Sequence, residues 1–135
     1  MRESEARSNP RVVRDKHFIK SRKEGKEMKE GVMIDNTFAI IDRHLMVKMP
    51  REVDHHNAAG IREQTDYYIL EDAVDHVIFD FESTVFMDSS GIGILMGRYK
   101  KISLFGGRVL AIHVNDRLKK VMQMAGIGEF IEILD

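Results

Sequence analysis

The chain has 135 residues, of which 43% are hydrophobic and 32% are charged. This length is enough for one compact core and too short for two full-sized domains. Cysteine is absent, which excludes disulfides, thiolate metal sites and cysteine nucleophiles and favours a reducing, cytoplasmic setting. No apolar run approaches the roughly 20 residues that span a bilayer, and the N-terminus lacks a signal-peptide pattern, so we expect neither membrane insertion nor secretion.

Charge is distributed unevenly along the chain. Residues 1–30 hold 10 Lys and Arg against 6 Asp and Glu, whereas residues 31–135 hold 11 against 16. Large apolar residues are scarce in the first segment, so burial there does not offset the entropy cost of ordering it. We therefore predict a basic, disordered N-terminal extension over residues 1–33 and one folded domain over residues 34–135. Acids interleave with the basic residues and no aromatic series accompanies them, which argues against direct DNA binding by this tail.

The first half of the folded domain predicts a hairpin, a helix and a strand. Two short apolar runs at residues 38–41 and 45–49 flank a polar connection, a pattern typical of a hairpin. After Pro50, apolar residues recur at spacings of three and four, which predicts an amphipathic helix over residues 57–71. The nearly continuous apolar run at residues 77–81 predicts a central strand that is covered on both faces or nearly so.

The second half repeats the alternation of helix and strand. The expected elements are a helix over residues 92–102, a strand over 108–114, a helix capped by Asn115 or Asp116, and a strand over 130–134. Gly106 and Gly107 should end the first of these helices, and Gly126 should end the second. Because strand–helix–strand units form parallel pairs with right-handed crossovers, we predict a small α/β sandwich. Its mixed sheet should have four to five strands, with helices mainly on one face.

The turn that follows the central strand carries the hydroxyl groups of greatest interest. Residues 86–93 read Phe-Met-Asp-Ser-Ser-Gly-Ile-Gly and place Ser89 and Ser90 at a helix N-terminus. Backbone N–H groups there lack intrahelical partners and the helix dipole is positive, so a serine can cap the helix or carry a phosphate. From the residue types alone, structural capping and a phosphorylation switch both stay open.

Other chemistries fit this turn less well. Asp88 puts a negative charge where a nucleotide phosphate would lie, and the lysine of a P-loop is missing. Neither Ser89 nor Ser90 has glycines two residues away on both sides, as a serine-hydrolase elbow requires. The adjacent side chains of His55 and His56 should point apart in an extended segment, which predicts no metal site. We expect no catalytic site, no cofactor and no metal.

Three segments together resemble a known family. Residues 87–100 closely resemble the core of the bacterial anti-sigma factor antagonists of the sporulation type, which are members of the STAS domain family. Residues 52–56 are similar to that group's Glu-Leu-Asp-His-His loop, and residues 118–127 resemble its late helix and following turn. The resemblance covers about residues 34–134. It implies a STAS-type sandwich with a phosphoacceptor at a helix N-terminus.

The resemblance implies a partner-switching protein rather than an enzyme. Unphosphorylated antagonists of this type bind an anti-sigma factor that is also a serine kinase, which releases the sigma factor. Phosphorylation blocks this binding, and a serine phosphatase reverses it. The phosphoacceptor maps to Ser89. The residues expected to contact the partner are Asp54, His55, Asp88, Ser90, Gly91 and Arg98.

Two of these residues carry specific expectations, and two other function classes stay open. Gly91 should either allow the kinase to approach the backbone closely or serve the local turn geometry. Arg98 should lie on a solvated helix face, where interface contact is its functional interpretation. We expect the free protein to be monomeric, with no contact to DNA or membrane. One alternative is a STAS signalling adaptor that works without phosphorylation. The other is a small nucleic-acid-associated protein that acts through the basic tail.

Overall fold

The computed structural model describes residues 32–33 and 35–134. The predicted N-terminal extension therefore lies outside the described residues, apart from its last two positions. The strands are β1 (Val32–Met33), β2 (Phe38–Ile41), β3 (His44–Lys48), β4 (Glu52–Val53), β5 (His76–Asp80), β6 (Phe86–Met87), β7 (Arg108–Ile112) and β8 (Glu132–Ile133). The helices are α1 (His55–Glu71), α2 (Ser89–Ser103) and α3 (Asp116–Met124), with a short 3₁₀ turn at Ile127–Glu129.

The main sheet has six strands in the order β1-β2-β3-β5-β7-β8. Strand β2 pairs antiparallel with β1 and β3, and the remaining neighbours pair in parallel. The mixed α/β sandwich is thus confirmed, with one strand more than the four to five expected. The additional strand is β1, whose two residues are too few to show an alternating pattern.

The predicted hairpin is formed by β2 and β3. Its two connecting residues, Asp42 and Arg43, both have positive φ, at 50° and 66°. Two such residues match the twist of the flanking strands and give a tight antiparallel turn. The Arg43 guanidinium then pairs with Asp75, the residue before β5, with Nε 2.9 Å from Oδ2. The turn is thereby tied to the neighbouring strand.

All three helices contribute to one hydrophobic core. Alternate residues of the three central strands point to this core and are at most 1% exposed: Leu45, Val47, Val77, Phe79, Val109 and Ala111. On the opposite face of β5, Ile78 and Asp80 are half-buried. The expected cover on both faces or nearly so is thus complete on one face of β5 and partial on the other.

A second sheet of two strands joins the beginnings of the first two helices. Strands β4 and β6 pair in parallel, with Val53 opposite Met87, and each strand ends just before a helix. Because the pairing is parallel and in register, α1 and α2 begin at the same level of the domain.

The C-terminal part follows the predicted order with shorter elements. Asn115 caps α3 by accepting a hydrogen bond from the backbone N–H of Leu118, and Gly126 follows the helix with φ of 73°. Glycine adopts this left-handed conformation at little cost, which explains the stop. The 3₁₀ turn takes up residues 127–129, so β8 begins at Glu132 rather than at residue 130. Within residues 32–33 and 35–134, no helix has the length and apolar character needed to cross a membrane.

Candidate functional site

Asp54 and Asp88 are the N-caps of the two helices that begin side by side. The Asp54 carboxylate accepts a hydrogen bond from the backbone N–H of His56 at 2.9 Å. Asp88 makes the same contact with the backbone N–H of Ser90 at 2.8 Å. The Asp88 backbone N–H in turn donates to the Val53 carbonyl at 3.0 Å. This hydrogen bond links the N-cap of α2 to β4, the strand that precedes α1.

Asp54 also takes part in a reciprocal cap. Its backbone N–H donates to the Asn57 side chain at 3.1 Å, while its carboxylate serves the first turn of α1. The hydrogen bond from the His56 backbone N–H is the main cause that holds the pKa of Asp54 below its ordinary value, and the charge of the His56 ring contributes. This cap lets α1 begin at residue 55, two residues before the predicted start.

Ser89 is the first residue of α2 and its side chain is exposed. Ser90 follows at the second helical position and is half-buried. The capping role that the sequence left open for a serine is filled by the Asp88 side chain. The Ser89 hydroxyl is therefore not needed as the cap, and it lies in solvent at the positive end of a helix of 15 residues.

Gly91 lies inside the domain rather than on a surface that faces a partner. It is buried, and a Cβ at this position would clash with Cγ and Sδ of Met87 and lie 3.2 Å from Cγ1 of Val53. Both neighbours belong to the small β4–β6 sheet. The expected contact between Gly91 and a kinase is thus corrected: the missing side chain lets α2 pack against β4 and β6.

Arg98 is also buried, and the expected surface position is wrong. The whole arginine residue is 4% exposed, and its Nε lies 2.7 Å from Oδ1 of Asp66 in α1. Burial lowers the pKa of Arg98 from its ordinary value, and the Asp66 charge opposes that shift. The guanidinium therefore connects α2 to α1 within the domain. Nearby, Leu95 is fully buried, while Tyr99 is half-buried against the core.

His55 lies beside an open cleft between α1 and α2. The cleft has a volume of about 330 Å³, and its lining includes His55, Arg62, Ser90 and Gly93. The rings of His55 and His56 lie with their centroids 4.0 Å apart, because both residues belong to the first turn of α1. The expectation of an extended segment with diverging imidazoles was wrong. His55 and Ser90 are the predicted site residues that the structure brings to one cleft.

One group of side chains elsewhere has the composition of a metal site. Asp80, Glu82 and His113 each offer a ligand atom within 4.8 Å of the others. His113 Nδ1 lies 2.8 Å from Oδ1 of Asp80, and this hydrogen bond is the main cause that raises the pKa of His113. Within this group the structure shows a direct hydrogen bond between His113 and Asp80.

The surface just before Ser89 carries apolar side chains that the sequence analysis did not single out. Val85 is 39% exposed and Phe86 is 47% exposed, whereas the next residue, Met87, is buried. The pattern of alternation in β6 explains this, because Phe86 points away from the core that Met87 enters. A strand of two residues gave no periodic signal from which its outward side chain could have been predicted.

Comparison with known proteins places this geometry in a family. Residues 37–135 match the STAS domain. The chain belongs to the STAS domain family. The match covers the hairpin, both capped helices and the turn with Ser89.

Several of the similar proteins and structures are anti-sigma factor antagonists. The chain is 34% identical over 91 residues to the anti-sigma F factor antagonist of Paenibacillus polymyxa, which covers 67% of this chain and 78% of that protein. It is similar to the structure of the unphosphorylated anti-sigma factor antagonist SpoIIAA, with TM-score 0.63, 28% identity and coverage of 73% and 86%. The phosphorylated form of the Bacillus cell fate determinant SpoIIAA matches with TM-score 0.61, 30% identity and coverage of 72% and 88%.

Proposed function

We propose that this STAS protein is an anti-sigma factor antagonist that is switched by phosphorylation at Ser89. The unphosphorylated form binds an anti-sigma factor serine kinase and thereby frees the sigma factor. Phosphorylation ends the binding, and a serine phosphatase restores it. The observation that supports this most directly is the exposed Ser89 at the start of α2, in a chain similar to SpoIIAA structures in both unphosphorylated and phosphorylated form.

The position of Ser89 allows a phosphate to be added without unfolding the domain. A phosphoserine carries about −1.5 to −2 charges. At the first position of α2 it lies at the positive end of the helix dipole. Since Asp88 already caps the helix, the modified oxygen is not part of the capping interaction. The fold should therefore tolerate both states.

The same phosphate changes the surface that a partner meets. Asp54 and Asp88 each carry a carboxylate next to a helix start, and β4 and β6 hold those starts together. A phosphate on Ser89 concentrates negative charge there. Like charges placed across an interface cost several kcal/mol, and about 1.4 kcal/mol is a factor of ten in affinity. An acidic partner group that faces the neutral Ser89 hydroxyl repels the phosphorylated form, with no need for a large change of shape.

In this proposal the chain binds and does not catalyse. Its phosphate comes from the ATP held by the kinase, so the Ser89 hydroxyl is a substrate. Exchange of partners takes place in the cytoplasm, and the free protein is monomeric. Asp54, His55, Asp88 and Ser90 are the residues that we assign to the partner surface, because each lies at the paired helix starts.

The proposal is tested with the anti-sigma factor kinase of the same organism. Incubation with this kinase and Mg-ATP should add about 80 Da at Ser89, a mass that corresponds to one phosphate. Ser89→Ala should keep binding to the kinase and Ser89→Asp should lose it, whereas Ser90→Ala should still be phosphorylated. An unmodified Ser89 after kinase treatment, or equal binding by the phosphorylated form, would contradict the proposal.

A further inference from the structure

We infer that Val85 and Phe86 form an apolar anchor for the anti-sigma factor kinase beside the phosphoacceptor. This inference rests on the proposed function and adds a binding surface to it. Phe86 is 47% exposed and Val85 is 39% exposed, so two consecutive apolar side chains lie at the surface just before α2. We call the pair the Val85–Phe86 patch.

The backbone of the patch is held by hydrogen bonds to the segment that precedes β4. The backbone N–H groups of Val85 and Phe86 both donate to the Arg51 carbonyl, at 2.8 and 3.3 Å. One residue earlier, the Thr84 hydroxyl donates to the Pro50 carbonyl at 2.7 Å. A backbone that is already held in this way loses little conformational freedom on binding, which favours the use of its side chains as contacts.

The patch also lies close enough to Ser89 to be covered by the same partner. Phe86 and Ser89 are three positions apart in the chain, so their Cα atoms are at most about 11 Å apart. A standard protein interface buries about 800 Å² on each side, which corresponds to a disc of about 16 Å radius. A kinase that binds around the exposed Ser89 therefore has Phe86 within its reach.

Charge around the patch indicates the kind of partner surface that fits it. Glu52 lies directly opposite Phe86 in the parallel pair and is exposed, and Asp88 lies two residues after Phe86. An apolar centre that is flanked by Glu52 is matched by a partner pocket that is apolar inside and basic on the side that faces Glu52. The anchor is separate from the switch, because the phosphate adds charge at Ser89 and leaves the aromatic ring of Phe86 unchanged.

The experiment compares single substitutions in the full chain with Ser89→Ala added, so that the kinase does not modify the protein during the measurement. Phe86→Ala should weaken binding to the kinase by about 10- to 100-fold, as removal of a central aromatic anchor does. Val85→Ser should weaken it in the same direction. Phe105→Ala is the matched control, since this phenylalanine is 65% exposed after the opposite end of α2, and binding should change less than twofold.

A second readout uses the chain with Ser89 intact. Phe86→Ala should raise the KM for phosphorylation by the kinase and leave kcat unchanged, because docking is weakened while the hydroxyl is unaltered. Circular dichroism and thermal unfolding check that each variant is folded. Parent-like binding by both Phe86→Ala and Val85→Ser would overturn the anchor and leave the proposed function standing. If the parent chain neither binds the kinase nor becomes phosphorylated, the proposed function fails and the anchor with it.

Discussion

Arg98 and Asp66 form an ion pair between two helices, with Nε of the guanidinium 2.7 Å from Oδ1 of the carboxylate. The arginine side chain is 5% exposed and the aspartate side chain 24%. The arginine also reaches the Ile94 carbonyl, with Nη1 at 3.5 Å. The pair therefore holds α2, which carries Ser89, against α1.

Removal of the arginine should destabilise the domain. Arg98→Met leaves the partly buried Asp66 carboxylate without its cation, and we expect the free energy of unfolding to fall by about 2–3 kcal/mol. Urea denaturation followed by circular dichroism measures this loss. Adding Asp66→Asn should recover part of it, because the uncompensated charge is then gone. Lys100→Met on the exposed face of the same helix is the control, and an equal loss there would contradict an internal role for Arg98.

A methyl group at position 91 should disturb the start of α2. Gly91→Ala places Cβ against the buried Met87 side chain, and we expect a loss of about 1–3 kcal/mol in the free energy of unfolding. A smaller residue at position 87 makes room for that methyl group. In a double-mutant cycle with Met87→Ala, the combined loss should therefore be smaller than the sum of the two single losses. Additive losses would show that the two side chains do not meet.

Asp88 should contribute to stability as a helix cap and not through its charge. Asp88→Ala removes the acceptor for the Ser90 backbone N–H and should lower the free energy of unfolding by about 1 kcal/mol. Asparagine is an equally good cap, so Asp88→Asn should stay within about 0.5 kcal/mol of the parent. Thermal unfolding of the parent, Asp88→Ala and Asp88→Asn at low and high salt distinguishes the contribution of the capping hydrogen bond from that of the carboxylate charge. Equal destabilisation by both substitutions would count against the cap.

The His113–Asp80 pair should make stability depend on pH. The hydrogen bond to Asp80 and the carboxylate charge raise the pKa of His113 in the folded state above its ordinary value of 6.5. The folded protein thus binds this proton more tightly than the unfolded chain. The contribution is complete below about pH 6.5 and is lost as the pH rises through the higher folded pKa.

Thermal unfolding between pH 5.5 and 9 measures this dependence. His113→Asn is the suitable variant, because asparagine tolerates the positive φ of 57° at this position and does not titrate. The difference in stability between parent and variant should be larger at pH 6 than at pH 9. A difference that stays constant over this range, or grows toward high pH, is incompatible with the stated direction of the pKa shift.

Much of the fold could be predicted because its elements are periodic in sequence. The hairpin, the long helices and the central strand each show the spacing of apolar residues that their geometry requires. The position of Ser89 followed from a recognisable motif, and Asp88 and Asp54 are residues of the usual capping type. These features depend on neighbours within a few positions along the chain.

The remaining features depend on contacts between distant parts of the chain. From the sequence alone Arg98 is predicted to be a surface residue. The structure places it beside Asp66, which lies 32 positions earlier in the chain. Gly91 is explained by Met87 and Val53, which meet only because β4 and β6 pair. These two strands have two residues each and give no periodic signal, so their pairing could not be read from the sequence. The exposed ring of Phe86 went unnoticed for the same reason.

The parallel β4–β6 pair also restricts how this protein can change in evolution. Arg51 and Val53 supply the carbonyls that hold Val85, Phe86 and Asp88, so the two segments are aligned residue by residue. An insertion or deletion in either segment would slip the alignment by a whole residue and turn inward-pointing side chains to the outside. Length changes should therefore be rare in both segments among relatives, and the exposed turns at the other end of the helices should absorb most of the variation.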